Sequence, residues 1–203
     1  MRVSRQMTVV FALGCLLAGC RNEPAGPPKS ASASLDVPHL DQETLLCVPT
    51  SAAMIMGFYN DPRPPRLIKS LASGHPLPSD GRFNDYSITY YRDLVRAAKQ
   101  LGYDWQEVSL SDSHADFVEG LARIETELQA NHPVMIDMSL PQGGHTVVVR
   151  GFDEQAQTIS VADPAQPAPG RYDMTFAQLE TVWNEHAYGN HGRALIVTRP
   201  AGG

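Results

Sequence analysis

Cys47-Val48-Pro49-Thr50-Ser51-Ala52-Ala53-Met54-Ile55-Met56-Gly57-Phe58-Tyr59 is the stretch that decides the fold. Pro49 stands in what would be a first helical turn, where a missing N–H costs little. Val48, Ala52, Ile55, Met56 and Tyr59 recur at helical spacing, and no charged residue occurs from 44 to 60. The pattern predicts a helix over 47–59, buried on most sides, with a cysteine as its first residue. Backbone N–H groups are unpaired at a helix N-terminus, and the helix dipole favours negative charge there. A thiol in that position is drawn toward thiolate, which is the nucleophile that acyl transfer needs. Thr50, Ser51, Ala52 and Ala53 are small and leave room around the sulfur. Taken singly, Cys47 also fits an inert core residue, since free cysteines are commonly buried.

On the N-terminal side, Arg2 and Arg5 precede an uncharged apolar run from Met7 to Leu17. That run is shorter than the roughly 20 residues a membrane-spanning helix needs, and a positive start before a short apolar run marks a signal peptide. It ends in Leu17-Ala18-Gly19-Cys20, which resembles the lipobox of bacterial lipoproteins. The resemblance implies that Cys20 is lipidated and becomes the first mature residue. Residues 21–34 are rich in Pro, Ala, Ser and Gly and are expected to be a flexible tether. The division expected is a signal peptide over 1–19, lipidated cysteine and tether over 20–34, and one domain over 35–203, long enough to bury a core without covalent staples.

The 16 Lys and Arg include Arg2 and Arg5, so the mature chain keeps 14 against 22 Asp and Glu, a net charge of −8 with histidines neutral. That balance argues against nucleic acid and against an anionic membrane face as direct electrostatic partners. The cysteines are Cys15, Cys20 and Cys47. The first leaves with the signal peptide and the second carries the lipid, so Cys47 is alone in the domain. A lone thiol in an exported protein points to a free reactive group.

On the C-terminal side the chain is loop-rich over 61–89, with one short helix near Arg66 to Ala72. An amphipathic helix is expected over Tyr90 to Leu101 and a strand over Tyr103 to Leu110. A longer helix over Ala115 to Ala130 carries Phe117, Leu121, Ile124 and Leu128 on one face. Short β-branched runs follow at 133–140, 145–152 and 158–162. A helix over Phe176 to Trp183, N-capped by Thr175, precedes a last strand at 194–198. Helices mostly before strands make an α+β domain with a largely antiparallel sheet.

His145 opens the strand His145-Thr146-Val147-Val148-Val149-Arg150-Gly151-Phe152 after Gly143-Gly144, glycines expected to let the backbone pass close to a neighbouring group. Held beside a thiol, it is the residue type that takes the proton and returns it to a leaving group; a lone histidine there is otherwise a hydrogen-bonded core residue. Asp163, in Val161-Ala162-Asp163-Pro164, ends the next strand. It can accept the other ring N–H of that histidine, although Asp-Pro alone is a turn signal. Gln42 lies five residues before Cys47, and its amide can donate to an oxyanion beside the sulfur.

The stretch from Val37 to Tyr59, with Gln42 and Cys47 to Met54, resembles the start of a C39-like papain-fold cysteine peptidase. So do Gly144-His145-Thr146-Val147-Val148-Val149-Arg150-Gly151-Phe152-Asp153 and Val161-Ala162-Asp163-Pro164. The resemblance covers about Val37 to Thr198 and implies a papain-like fold. It also implies roles: Cys47 nucleophile, His145 base, Asp163 orienting acid, Gln42 at the oxyanion hole. Where the family usually has Gly after the cysteine, this chain has Val48, a side chain bulky enough to crowd the oxyanion site. Members that cleave leader peptides after a double glycine are fused to transporters, so that substrate is not expected here.

The function expected is a thiol hydrolase of the cell envelope acting on peptide or other amide bonds, with a peptide or protein as substrate and a lipid anchor in the membrane. Transglutaminase-like acyl transfer and a silent peptide-binding lipoprotein are the alternatives. Arg21 is not the aspartate associated with inner-membrane retention, so the periplasmic face of the outer membrane is the expected location. No cofactor is implied. His186 and His191 lack a nearby Cys or acid cluster, so no metal site is expected. His39, His75, His114 and His132 read as surface residues. Trp105, Trp183, Tyr90 and Tyr91 read as core or rim, and Asn84, Asp85 and Tyr86 as candidates to line a substrate groove.

Overall fold

The computed structural model describes residues 31–76, 85–184 and 192–202. Along these the elements are β1 (Ser32–Ser34), α1 (Cys47–Phe58), α2 (Pro65–Ser73), α3 (Tyr91–Gln100), β2 (Gln106–Leu110), α4 (His114–Gln129), β3 (Val134–Leu140), β4 (Gly143–Asp153), β5 (Thr158–Ala162), β6 (Arg171–Thr175), α5 (Phe176–Val182) and β7 (Arg193–Val197). The strands form one sheet in the order β2-β7-β3-β4-β5-β6, with β1 added beside β4. All the described pairings are antiparallel. This is an α+β fold, with most helices before the sheet.

β4 is the longest strand and the spine of the domain. His145 to Val149 are buried at successive positions. Neighbouring side chains point to opposite faces, so both faces of β4 are covered there, and α1 and α4 both pack against it. α1 earns that place by composition: Val48 to Met56 are all buried, which no charged residue could join without a partner. Their apolar atoms merge with Leu94, Ile124, Val147, Val149 and Leu195 in one core. Trp105 and Trp183 are core residues, each indole N–H bonded to a backbone carbonyl, that of Arg199 or Ala194. Ser113 and Thr175 cap α4 and α5, the latter in a reciprocal capping box with Gln178.

Three expectations need correction. The tether does not extend to Ser34: Ser32, Ala33 and Ser34 pair with Asp153, Phe152 and Gly151 of β4. This strand owes nothing to apolar bulk. Its backbone groups pair with β4, Arg150 Nε donates to Leu35 O at 2.9 Å, and Gly151 leaves room where a Cβ would stand 2.7 Å from Ala33 O. Secondly, β6 lies where no strand is expected from the sequence. Of its five residues only Met174 is buried, so it carries no alternating apolar signal. Thirdly, the strand expected from Tyr103 begins at Gln106. Tyr103 precedes it, buried, with its hydroxyl donating to Asp61 Oδ2 at 2.8 Å.

Candidate active site

Cys47 begins α1, with Leu46 as N-cap residue. Ser51 lies one turn further along the same helix face, and its hydroxyl donates to the backbone carbonyl of Thr146 at 3.2 Å. That bond docks the first turns of α1 onto β4 beside His145. His145 and Cys47 are hydrogen-bonded. On its other side, His145 Nε2 lies 2.7 Å from Asp163 Oδ1, which leaves Nδ1 as the ring nitrogen for the sulfur. Cys47 is half-buried and in no disulfide, whereas His145 and Asp163 are buried.

The end of β5 fixes the carboxylate. The Asp163 N–H donates to Gly170 O at 2.7 Å, and Asp163 Oδ1 also accepts from the Ala165 N–H at 2.8 Å. A second donor reaches Oδ2: the Tyr172 hydroxyl, at 3.2 Å. Sequence reading missed Tyr172 because it sits on β6, and only the register Val161↔Tyr172 brings it beside Asp163.

Burial, the largest influence on His145, disfavours its charged form. Hydrogen bonds to Asp163 and to Cys47, and the charges of both, outweigh it and push the imidazole up to about 9. Burial likewise pushes the Asp163 carboxyl up, but its bonds from His145, Ala165 and Tyr172 win and hold it below the usual carboxylate range. The arrangement is a thiol, an imidazole favoured as imidazolium, and a carboxylate kept ionised, in that spatial order.

Gln42 lies on the segment that leads into α1. Its backbone N–H donates to Pro164 O at 2.8 Å, joining the approach to Cys47 to the turn after Asp163. Its side-chain Oε1 is buried and without a hydrogen-bond partner. A cleft of about 510 Å³ runs between residues 41–44 and 164–168. Cys47 is not among its walls, so the cleft flanks the triad and does not contain the sulfur. Val48, expected to crowd this region, is instead in the core at 2 % exposure. One residue along a helix turns the side chain by about 100°, which takes it off the face that presents Cys47. Gly143 adopts φ +125° with nothing within 4 Å of a notional Cβ. Its glycine therefore serves the turn before His145, and a close approach is not what requires it.

His39 is not a surface residue. Its side chain is 11 % exposed, with Nε2 bonded to Asp41 Oδ1 at 3.0 Å. His132 is also partly buried, against Glu127. Cys20, Asn84, His186 and His191 lie outside the described residues. Among the described residues no group of three His, Cys, Asp or Glu side chains is disposed to hold a metal ion.

The model of the Peptidase_C39 like family matches residues 34–190. Comparison with curated proteins finds no match. Among solved structures, the chain resembles the peptidase domain of Streptococcus ComA, a bi-functional ABC transporter involved in a quorum-sensing pathway. The TM-score is 0.54 at 17 % identity, covering 80 % of this chain and 98 % of that one. It also resembles a double glycine motif protease from an AMS/PCAT transporter, solved in complex with its leader peptide (TM-score 0.54, 19 % identity, 82 % and 94 % covered). A third likeness is xylellain, a cysteine protease from Xylella fastidiosa (TM-score 0.52, 12 % identity, 86 % and 87 % covered). At these identities the three structures speak to the fold alone, and the fold they share with this chain is the papain-like one.

Proposed function

The chain belongs to the peptidase C39-like family of cysteine peptidases, and from that premise we propose that it is an envelope-anchored thiol hydrolase that cleaves peptide or other amide bonds with Cys47, His145 and Asp163. The observation that carries this reading is the continuous chain of hydrogen bonds from Cys47 through His145 to Asp163.

The chemistry follows from the geometry. His145 takes the Cys47 proton, and the thiolate attacks the carbonyl carbon of the scissile amide. The negative charge that develops on the carbonyl oxygen is stabilised by N–H groups at the start of α1 and by the Gln42 amide. The C–N bond breaks as His145 returns the proton to the leaving nitrogen. A thioester remains on Cys47. Water, deprotonated by His145, attacks it and releases the acid and the thiol. Throughout, Asp163 holds the Nε2–H and stabilises the imidazolium without itself taking a proton.

A peptide is the substrate class this reading favours: the family is one of peptidases, and the relative from an AMS/PCAT transporter was solved with a leader peptide. The domain would stand on residues 21–30 from a lipidated Cys20, on the periplasmic face of the outer membrane. Leu17-Ala18-Gly19-Cys20 and Arg21 are what support that placement.

The test is incubation of the purified protein with a mixture of unlabelled peptides, followed by mass spectrometry of the products. Cleavage should occur with the wild type and be absent with Cys47→Ala. Tight peptide binding with no Cys47-dependent cleavage would replace this account with a silent binding protein.

A further inference from the structure

Among the described residues, Tyr172 is the one side chain outside the triad that reaches the Asp163 carboxylate. Asp163 Oδ1 is saturated by His145 Nε2 and the Ala165 N–H. Oδ2, by contrast, accepts from a single donor among the described residues, the Tyr172 hydroxyl at 3.2 Å. Asp163 is 2 % exposed, while Tyr172 is 37 % exposed on β6. The phenol therefore lies between the carboxylate and water. Its backbone is set by strand pairing: Val161↔Tyr172 and Ala162↔Arg171 are paired residues of β5 and β6, and Asp163 follows Ala162 directly. The site thus holds its acid from two sides, with β5 carrying the carboxylate and β6 carrying its second donor.

We propose that Tyr172 is a positioning residue for the reaction, holding Asp163 ionised and oriented so that His145 is presented to Cys47. This rests on the hydrolase reading above. A carboxylate buried with an unpaired oxygen is favoured in its protonated form, because burial disfavours charge and donors to the charged form favour it. Once protonated, Asp163 no longer stabilises the imidazolium, and the base that activates Cys47 is lost. The Tyr172 hydroxyl is the donor that prevents this on Oδ2, and its ring excludes the water that would otherwise compete for the carboxylate. The phenol itself is held in its neutral, donating form, because burial and the Asp163 charge both push its ionisation up.

Tyr172→Phe keeps the ring and removes only the donor. We expect a drop of roughly 3- to 30-fold in kcat/KM with KM little changed, since a hydrogen bond to a charged group is lost. The acid limb of the pH–rate profile should move up by roughly one pH unit, as Asp163 protonates more readily. The thermal midpoint should shift little. A purely structural Tyr172 would instead lower activity evenly at all pH values. An acid limb unmoved in an active Tyr172→Phe protein overturns the proposal and leaves the hydrolase reading intact. An inactive wild type whose Cys47 does not react at mildly acidic pH overturns the hydrolase reading first. A measurement without a variant serves as a second arm: a ¹³Cζ label at Tyr172 in the wild type, titrated by NMR. Ionisation well above an ordinary tyrosine, near ~10, is expected. An ordinary value means that the hydroxyl does not face Asp163 and contradicts the proposal.

Discussion

The Ser51 hydroxyl donates to the carbonyl of Thr146 at 3.2 Å, so the helix that carries Cys47 is bonded to the strand residue next to His145. Nucleophile and base come from elements about a hundred residues apart in sequence, and this bond sets their register. Ser51→Ala should cost about 1 kcal/mol of stability, the usual worth of one hydrogen bond. It should lower kcat/KM roughly ten- to a hundred-fold, because small misplacements of reacting groups are expensive. Denaturant unfolding and steady-state kinetics on the same preparation check both numbers. Wild-type kinetics in Ser51→Ala would show that core packing alone places Cys47.

Asp163→Asn should fold, since the amide oxygen can still accept from the Ala165 N–H. The amide cannot stabilise an imidazolium, and it favours the wrong tautomer of His145. The same change in a serine-protease triad costs on the order of 10⁴-fold, and a loss of at least about 10²-fold is expected here. Full activity by the peptide-cleavage assay would remove Asp163 from the mechanism.

Stability should follow pH through the His145–Asp163 pair. The folded imidazole is pushed up to about 9 from an ordinary 6.5, so its contribution is fully present below about 6.5 and is lost as pH rises toward 9. The Asp163 carboxyl is lowered from an ordinary 3.8, so its contribution is present above that value and is lost as pH falls through the lowered one. His145→Gln should therefore be most destabilised relative to the wild type between about pH 4 and about pH 6.5, and the gap should narrow toward pH 9. A constant difference in melting temperature from pH 4 to pH 9 would contradict the ion pair.

Anchoring rests on Leu17-Ala18-Gly19-Cys20. Cys20→Ala should release the protein from the membrane fraction or leave the signal peptide uncleaved. Normal processing together with unchanged membrane association would show that Cys20 is not lipidated.

What the sequence made legible follows from where its signals lie. α1 announced itself because thirteen residues without charge repeat at helical spacing, and burial of Val48 to Met56 is the physical reason for that pattern. β3 and β4 were equally plain, since strands buried at successive positions read as near-continuous apolar runs, and β5 alternates apolar and polar as a half-buried strand does. β1 and β6 were not. β1 is three small residues held by backbone bonds and by Arg150, and β6 is an edge strand whose charged residues suit an edge. The same limit hid Tyr172, whose role depends on strand register, and His39, whose burial depends on packing against the turn after Asp163. Val48 shows the converse. Its bulk was visible, but its direction off the Cys47 face was a matter of helix geometry.

The central claim is that His145 activates Cys47, and the labelling rate of Cys47 by iodoacetamide from about pH 4 to about pH 9 tests it most directly. The charge of Cys47 raises His145, and the attraction acts equally on the thiolate. The wild type should therefore react at mildly acidic pH, well below the roughly 8.5 of an ordinary thiol. His145→Ala should react only at higher pH, with the start of α1 as its remaining source of activation. Two overlapping profiles, each with a midpoint near 8.5, would contradict the account.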